Sequence, residues 1–102
     1  MVKCICINDK DKPNRIPAEK WIKNGQEYTI AFASYVLPQK ELGLQIEGLE
    51  LDESCFPYEY FLANRFGFTL EEFNKLIDFI KECNDIAISV KELMEQTKLF
   101  NY

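Results

Sequence analysis

Residues 13–36 read PNRIPAEKWIKNGQEYTIAFASYV, and this stretch decides the fold. Pro13 and Pro17 fix φ and keep the approach to Pro17 out of regular helix. Ala18, Glu19, Lys20 and Trp21 then have room for a single helical turn, with Pro17 in the tolerated opening position. Asn24-Gly25 signals a tight turn, because glycine accepts positive φ without steric cost. From Gln26 the pattern alternates. Tyr28, Ile30, Phe32 and Val36 share one face of an expected strand over 26–36, with Thr29, Ala31, Ala33 and Tyr35 on the other.

On the N-terminal side, Val2 to Ile7 carries β-branched and Cys residues on both faces, which predicts a central strand. Asn8 to Lys12 (NDKDK) is a polar loop. Asp9 and Asp11 stand as in a calcium loop, but Pro13 takes the third ligand position, Asn14 stands where Gly is needed, and Lys20 replaces the closing Glu. A solvated loop is the better reading.

On the C-terminal side, Pro38 ends pairing and Pro38 to Glu41 form a polar connection. Leu42, Leu44 and Ile46 point one way, with Gln45 and Glu47 opposite. Beyond Gly48 the phase shifts by one, to Leu49 and Leu51. A β-bulge at Gly48 in one bent strand over 42–52 accounts for this, and a simple turn at Glu47-Gly48 is the alternative. Cys55 to Phe61 is dense in aromatics and reads as a packed turn, with Pro57 placed to open one helical turn through Ala63. Arg65 to Phe68 offers a last short strand.

Thr69-Leu70-Glu71-Glu72 is a capping box, in which Thr69 accepts from the Glu72 N–H and Glu72 reaches back. The helix it starts presents Leu70, Phe73, Leu76, Ile77 and Ile80 at helical spacing. Ser89 to Glu92 is a second capping box, followed by Leu93, Met94, Thr97 and Phe100. Two helices, about 70–83 and 90–99, are expected, with one bent helix as the alternative. Strands followed by helices predict a mainly β fold with C-terminal α: a small barrel or curled sheet, residues 1–68, with a helical appendage, residues 69–102, packed on it in a single domain. An apolar strip left over near Phe100 is expected to become a homodimer contact through the helices.

The chain of 102 residues is 47% apolar and 14% aromatic, the composition of a folded domain. No apolar run approaches the ~20 residues that span a bilayer, so no membrane partner is expected. A cytoplasmic location is expected, with the four cysteines as reduced thiols. Charge is uneven: residues 1–26 carry six Lys/Arg against three acids, whereas residues 27–102 carry six against fourteen. The acidic balance argues against general nucleic-acid binding, which depends on phosphate neutralisation.

Cys6-Ile7-Asn8-Asp9, Pro13, Ile16-Pro17, Lys20-Trp21-Ile22-Lys23-x-Gly25-x-x-Tyr28-Thr29-Ile30 and, later, Pro57-Tyr58-x-Tyr60-Phe61-x-x-x-Arg65-Phe66 resemble small uncharacterised proteins of gut Bacteroidetes and their phages. The resemblance covers residues 4–68 and implies an SH3-like barrel. It carries no activity and no catalytic residue.

The chain has no His, which removes the commonest general base, and no Gly-rich phosphate loop. No enzyme and no cofactor are expected. Cys4, Cys6, Cys55 and Cys83 lack the closely spaced knuckle pair of zinc sites, so packed thiols are favoured over a structural zinc protein. The aromatics are the best lead. Tyr28 and Phe61 are expected in the core, whereas Trp21, beside Lys20 and Lys23, is expected as an exposed contact. The expectation is a non-enzymatic module with a protein partner, binding through Trp21, Lys20, Lys23, Arg15, Tyr35 and Tyr58. The alternative is a nucleic-acid-associated factor using the basic loop 10–23, with Lys10, Lys12, Arg15, Lys20 and Lys23 around Trp21.

Overall fold

Strand β1 (Val2–Cys6) buries Val2, Cys4 and Cys6 and leaves Lys3 in water, in a computed structural model that describes residues 1–100. The chain then makes a long excursion over 7–26. It holds a 3-10 turn at Ala18–Lys20, as predicted, and a tight turn in which Gly25 takes φ +85°. Strand β2 (Glu27–Val36) follows, the longest in the molecule.

The predicted alternation in β2 fails half-way. Ile30 is buried, Ala31 and Phe32 both face out, and Ala33 and Tyr35 are buried. The ladder with β3 (Glu41–Ile46) slips here, pairing Ile30 with Ile46 and Phe32 with Gln45. Ala31 is therefore the extra residue of a β-bulge, which bends the strand and changes which side chains face inward. Phe32 does not share the buried face of Ile30, and Tyr35 points inward. The bulge belongs to β2, not to Gly48. β3 stops at Ile46 with Leu42, Leu44 and Ile46 inward, and Glu47-Gly48 is a turn with Gly48 at φ +84°. Residues 49–52 carry no strand, so one bent strand over 42–52 is not formed.

Pro57 opens no helix. A 3-10 turn comes earlier, at Glu53–Cys55, where Asp52 caps the Ser54 N–H. Strands β4 (Phe61–Leu62) and β5 (Phe66–Phe68) flank a second 3-10 turn at Ala63–Arg65. The sheet order is β4-β3-β2-β1-β5, extended by β6 (Lys98–Leu99) beside β5. Four ladder steps separate β4 from β5, which in a flat sheet is about 19 Å at ~4.8 Å per step. The three residues Ala63–Arg65 join them, and three residues of 3-10 turn advance only about 6 Å. The sheet must therefore coil on itself, and the bulge in β2 lets it do so. The fold is mainly β with C-terminal α, one six-stranded mixed sheet with two helices following strands β1 to β5.

Helix α1 (Leu70–Asn84) buries Phe73, Leu76 and Ile80, but Leu70 in its first turn faces water. These side chains join the strands in one continuous core. Thr69 accepts from the Glu72 N–H as predicted, whereas the Glu72 carboxylate bonds the Lys3 N–H on β1 at 2.8 Å instead of reaching back. At the other end of α1, Asn84 completes β2. β1 pairs only with the first half of that strand, up to Ile30. Beyond it, Asn84 accepts from the Tyr35 N–H and donates to the Ala33 carbonyl. Helix α2 (Val90–Gln96) is separate, is capped by Ser89, buries Leu93 and leaves Met94 in water. It ends before 99 because Lys98 and Leu99 extend parallel to β5.

Candidate functional site

The expected binding residues do not form one surface. Trp21 is half-buried rather than projecting. Its indole N–H donates to the Asp9 carbonyl at 2.7 Å, its ring meets Phe61 at 5.6 Å, and Arg65 lies over it at 4.9 Å. Tyr35 is buried, and its hydroxyl donates to Glu92 on α2, which also pairs with Lys40. Burial, then the Glu92 carboxylate, pushes the Tyr35 phenol up to about 12. Arg15 and Lys23 are exposed on the 7–26 excursion. Lys12 is exposed, and its ammonium donates to the Pro13 and Ile16 carbonyls. Phe61 is in the core as expected, and Tyr28 is partly buried.

Lys20 and Tyr58 do lead to a site. Lys20 crosses to the loop after β3 and pairs with Asp52 at 2.6 Å. That ammonium, together with the Ser54 hydroxyl and N–H, pulls the Asp52 carboxyl down to about 2. The pair pins a loop running from Glu47 to Tyr60. Tyr60 then lies across β3. An ideal Cβ on Gly43 would fall 2.0 Å from its ring, so the close approach requires glycine there. The Tyr60 hydroxyl donates to Glu41 at 2.5 Å, and that carboxylate, ahead of burial, raises its phenol to about 12.

Between this loop and the outward face of β2 and β3 lies a groove of about 310 Å³. Its floor includes Ala31 and Gln45, and Leu49, Leu51 and Tyr60 form walls. Leu51 and Glu59 are shared with a second hollow of about 370 Å³, which reaches the exposed rings of Phe56 and Tyr58. Glu47, Glu50, Glu53 and Glu59 stand along this surface. None of the four has a cation within ion-pair distance among the described residues. Lys20, the one base that reaches the loop, is already held by Asp52.

The surface was partly legible. Residues 47–60 (EGLELDESCFPYEY) hold five acids and no Lys or Arg, interleaved with five apolar or aromatic side chains besides Cys55 and Pro57. Nothing in that stretch tells that Ala31 and Gln45 form the floor beneath it.

The cysteines do not converge. Cys4, Cys6 and Cys55 are buried, Cys83 is partly exposed on α1, and all four are free. Burial, with Cys6 adding to it, pushes the Cys4 thiol up to about 12, and burial raises Cys6 as well. Such thiols are poor nucleophiles. Among the described residues no group of three or more Cys, Asp or Glu side chains is arranged to hold a metal ion, and no helix is long and apolar enough to cross a membrane. Comparison of the chain with protein-family models, with curated proteins and with solved structures gives no match.

Proposed function

We propose that this protein is a non-enzymatic interaction module that works in the cytoplasm and engages a protein partner through the groove under the 47–60 loop. The observation that carries the reading is the groove itself: apolar walls and unpaired carboxylates on an outward sheet face. Open apolar surface of this kind fits protein contact better than chemistry. The buried, high-pKa thiols supply no nucleophile, and four free cysteines suit a reducing compartment.

The nucleic-acid reading has less support. Of its basic residues, Lys12 and Lys20 are occupied within the chain, and Trp21 is packed on Phe61 and Arg65 rather than free to stack on a base. The resemblance to the Bacteroidetes and phage proteins adds no activity to either reading.

The test is site-resolved. A photo-crosslinking amino acid in place of Gln45 or Glu59 should give discrete protein adducts in cells of the native host. The same group in place of Asp78, exposed on α1, should give none. Equal labelling from both positions would overturn the assignment of the groove.

A further inference from the structure

The groove specifies the charge of what enters it. Over the continuous surface from Ala31 to Phe56, Glu47, Glu50, Glu53 and Glu59 lack a counter-charge. Like charges crowded on one loop repel one another, and an incoming cation relieves that repulsion. The apolar side chains lie among the carboxylates. Phe56 is 66% exposed and Tyr58 40% exposed, and an aromatic face also attracts a cation.

We propose that the occupant is an extended segment of a partner protein in which Lys or Arg residues alternate with apolar ones, with the apolar side chains against Leu49, Leu51 and Tyr60 and the cations beside the carboxylates. This rests on the interaction-module reading above and adds the chemistry of the partner. An acidic segment would add charge to charge. A purely apolar one would leave four carboxylates partly desolvated without compensation.

Panning a phage-displayed library of random peptides of about twelve residues against the folded full chain reads the preference directly. Peptides retained at low salt should be enriched at least three-fold in Lys and Arg over the input library. Synthetic copies should bind at least ten-fold more weakly in high salt, where exposed charges are screened. The E50K/E59K double variant should lose the enrichment. D78K/E82K, with the same change in net charge on exposed positions of α1, should keep it. Circular dichroism verifies that both are folded, and E50Q/E59Q serves if the reversal unfolds the chain.

Enrichment in neutral or acidic sequences, or equal loss in both double variants, overturns the cationic occupant. Binding in that case that still maps to Gln45 and Glu59 by crosslinking leaves the interaction module standing. Salt-sensitive self-association abolished by E50K/E59K would make a second copy's basic loop the occupant and overturn the partner segment.

Discussion

Asn84 shows how one side chain sets what a neighbouring element is able to do. Its amide oxygen accepts from the Tyr35 N–H on β2 at 3.0 Å, and its NH2 donates to the Ala33 carbonyl on β2 at 2.9 Å and to the Ile80 carbonyl on α1 at 2.8 Å. It stands in for the strand that β1 is too short to provide. Asn84→Ala leaves a buried N–H and C=O without partners, and each such loss costs about 1–3 kcal/mol. The expected outcome is a urea midpoint lowered by an amount equivalent to ~2 kcal/mol or more with an unchanged slope. Asn84→Asp should lose at least as much, because a carboxylate still accepts from Tyr35 but sets an oxygen against the Ala33 and Ile80 carbonyls, to which the amide donates. A midpoint within error of wild type would show that water replaces the amide. The sequence gives little warning of this role, since Asn near a helix end reads simply as the place where helical periodicity fades.

At the scale of the element, the Ala31 bulge links the two halves of β2. The half before it pairs with β1, and the half after it turns Ala33 and Tyr35 into the core. Deleting Ala31 joins Ile30 directly to Phe32 and leaves Ile30, Ala33 and Tyr35 on the inward face, so it removes the bend without changing which side chains face the core. The deletion variant should therefore keep a cooperative thermal transition by circular dichroism, with a midpoint lowered by loss of the bend that lets the sheet coil. Ala31→Leu is different, because Ala31 is exposed and keeps its place in the register. It should stay within about 0.5 kcal/mol of wild type while filling the floor of the groove, so a native melt with lost peptide binding is the expected pair of results. Ala, Phe and Ala in sequence do not announce a bulge. What decides it is the fit of β2 against Leu44 and Ile46 on β3.

At the scale of the whole molecule, the helices are part of the core rather than an accessory to a finished barrel. Phe73, Leu76, Ile80 and Leu93 are buried in the same cluster as the strands. At ~1.5–3 kcal/mol each they contribute on the order of 6–12 kcal/mol, which is about the whole net stability of a typical domain. A chain ending at Phe68 should consequently be unfolded or aggregated by circular dichroism and sedimentation. A soluble fragment with a native-like spectrum would refute the shared core. Phe100, near which an apolar strip for a second copy is expected, lies on Gly67, where an added Cβ would fall 2.2 Å from its ring. Its N–H bonds the Phe68 carbonyl. What the sequence by itself determined is what local chemistry dictates: β1, β3 and β5 from their apolar runs, the turn at Gly25 from its glycine, and both helix starts from Thr69 and Ser89. The fold class followed from the order of those elements. Only the tertiary structure decided the bulge at Ala31, the strand at Lys98–Leu99, the destination of Glu72 and Asn84, and the groove. Each of these joins residues distant in the chain, and side chains with several local options take the one that a remote backbone leaves unsatisfied.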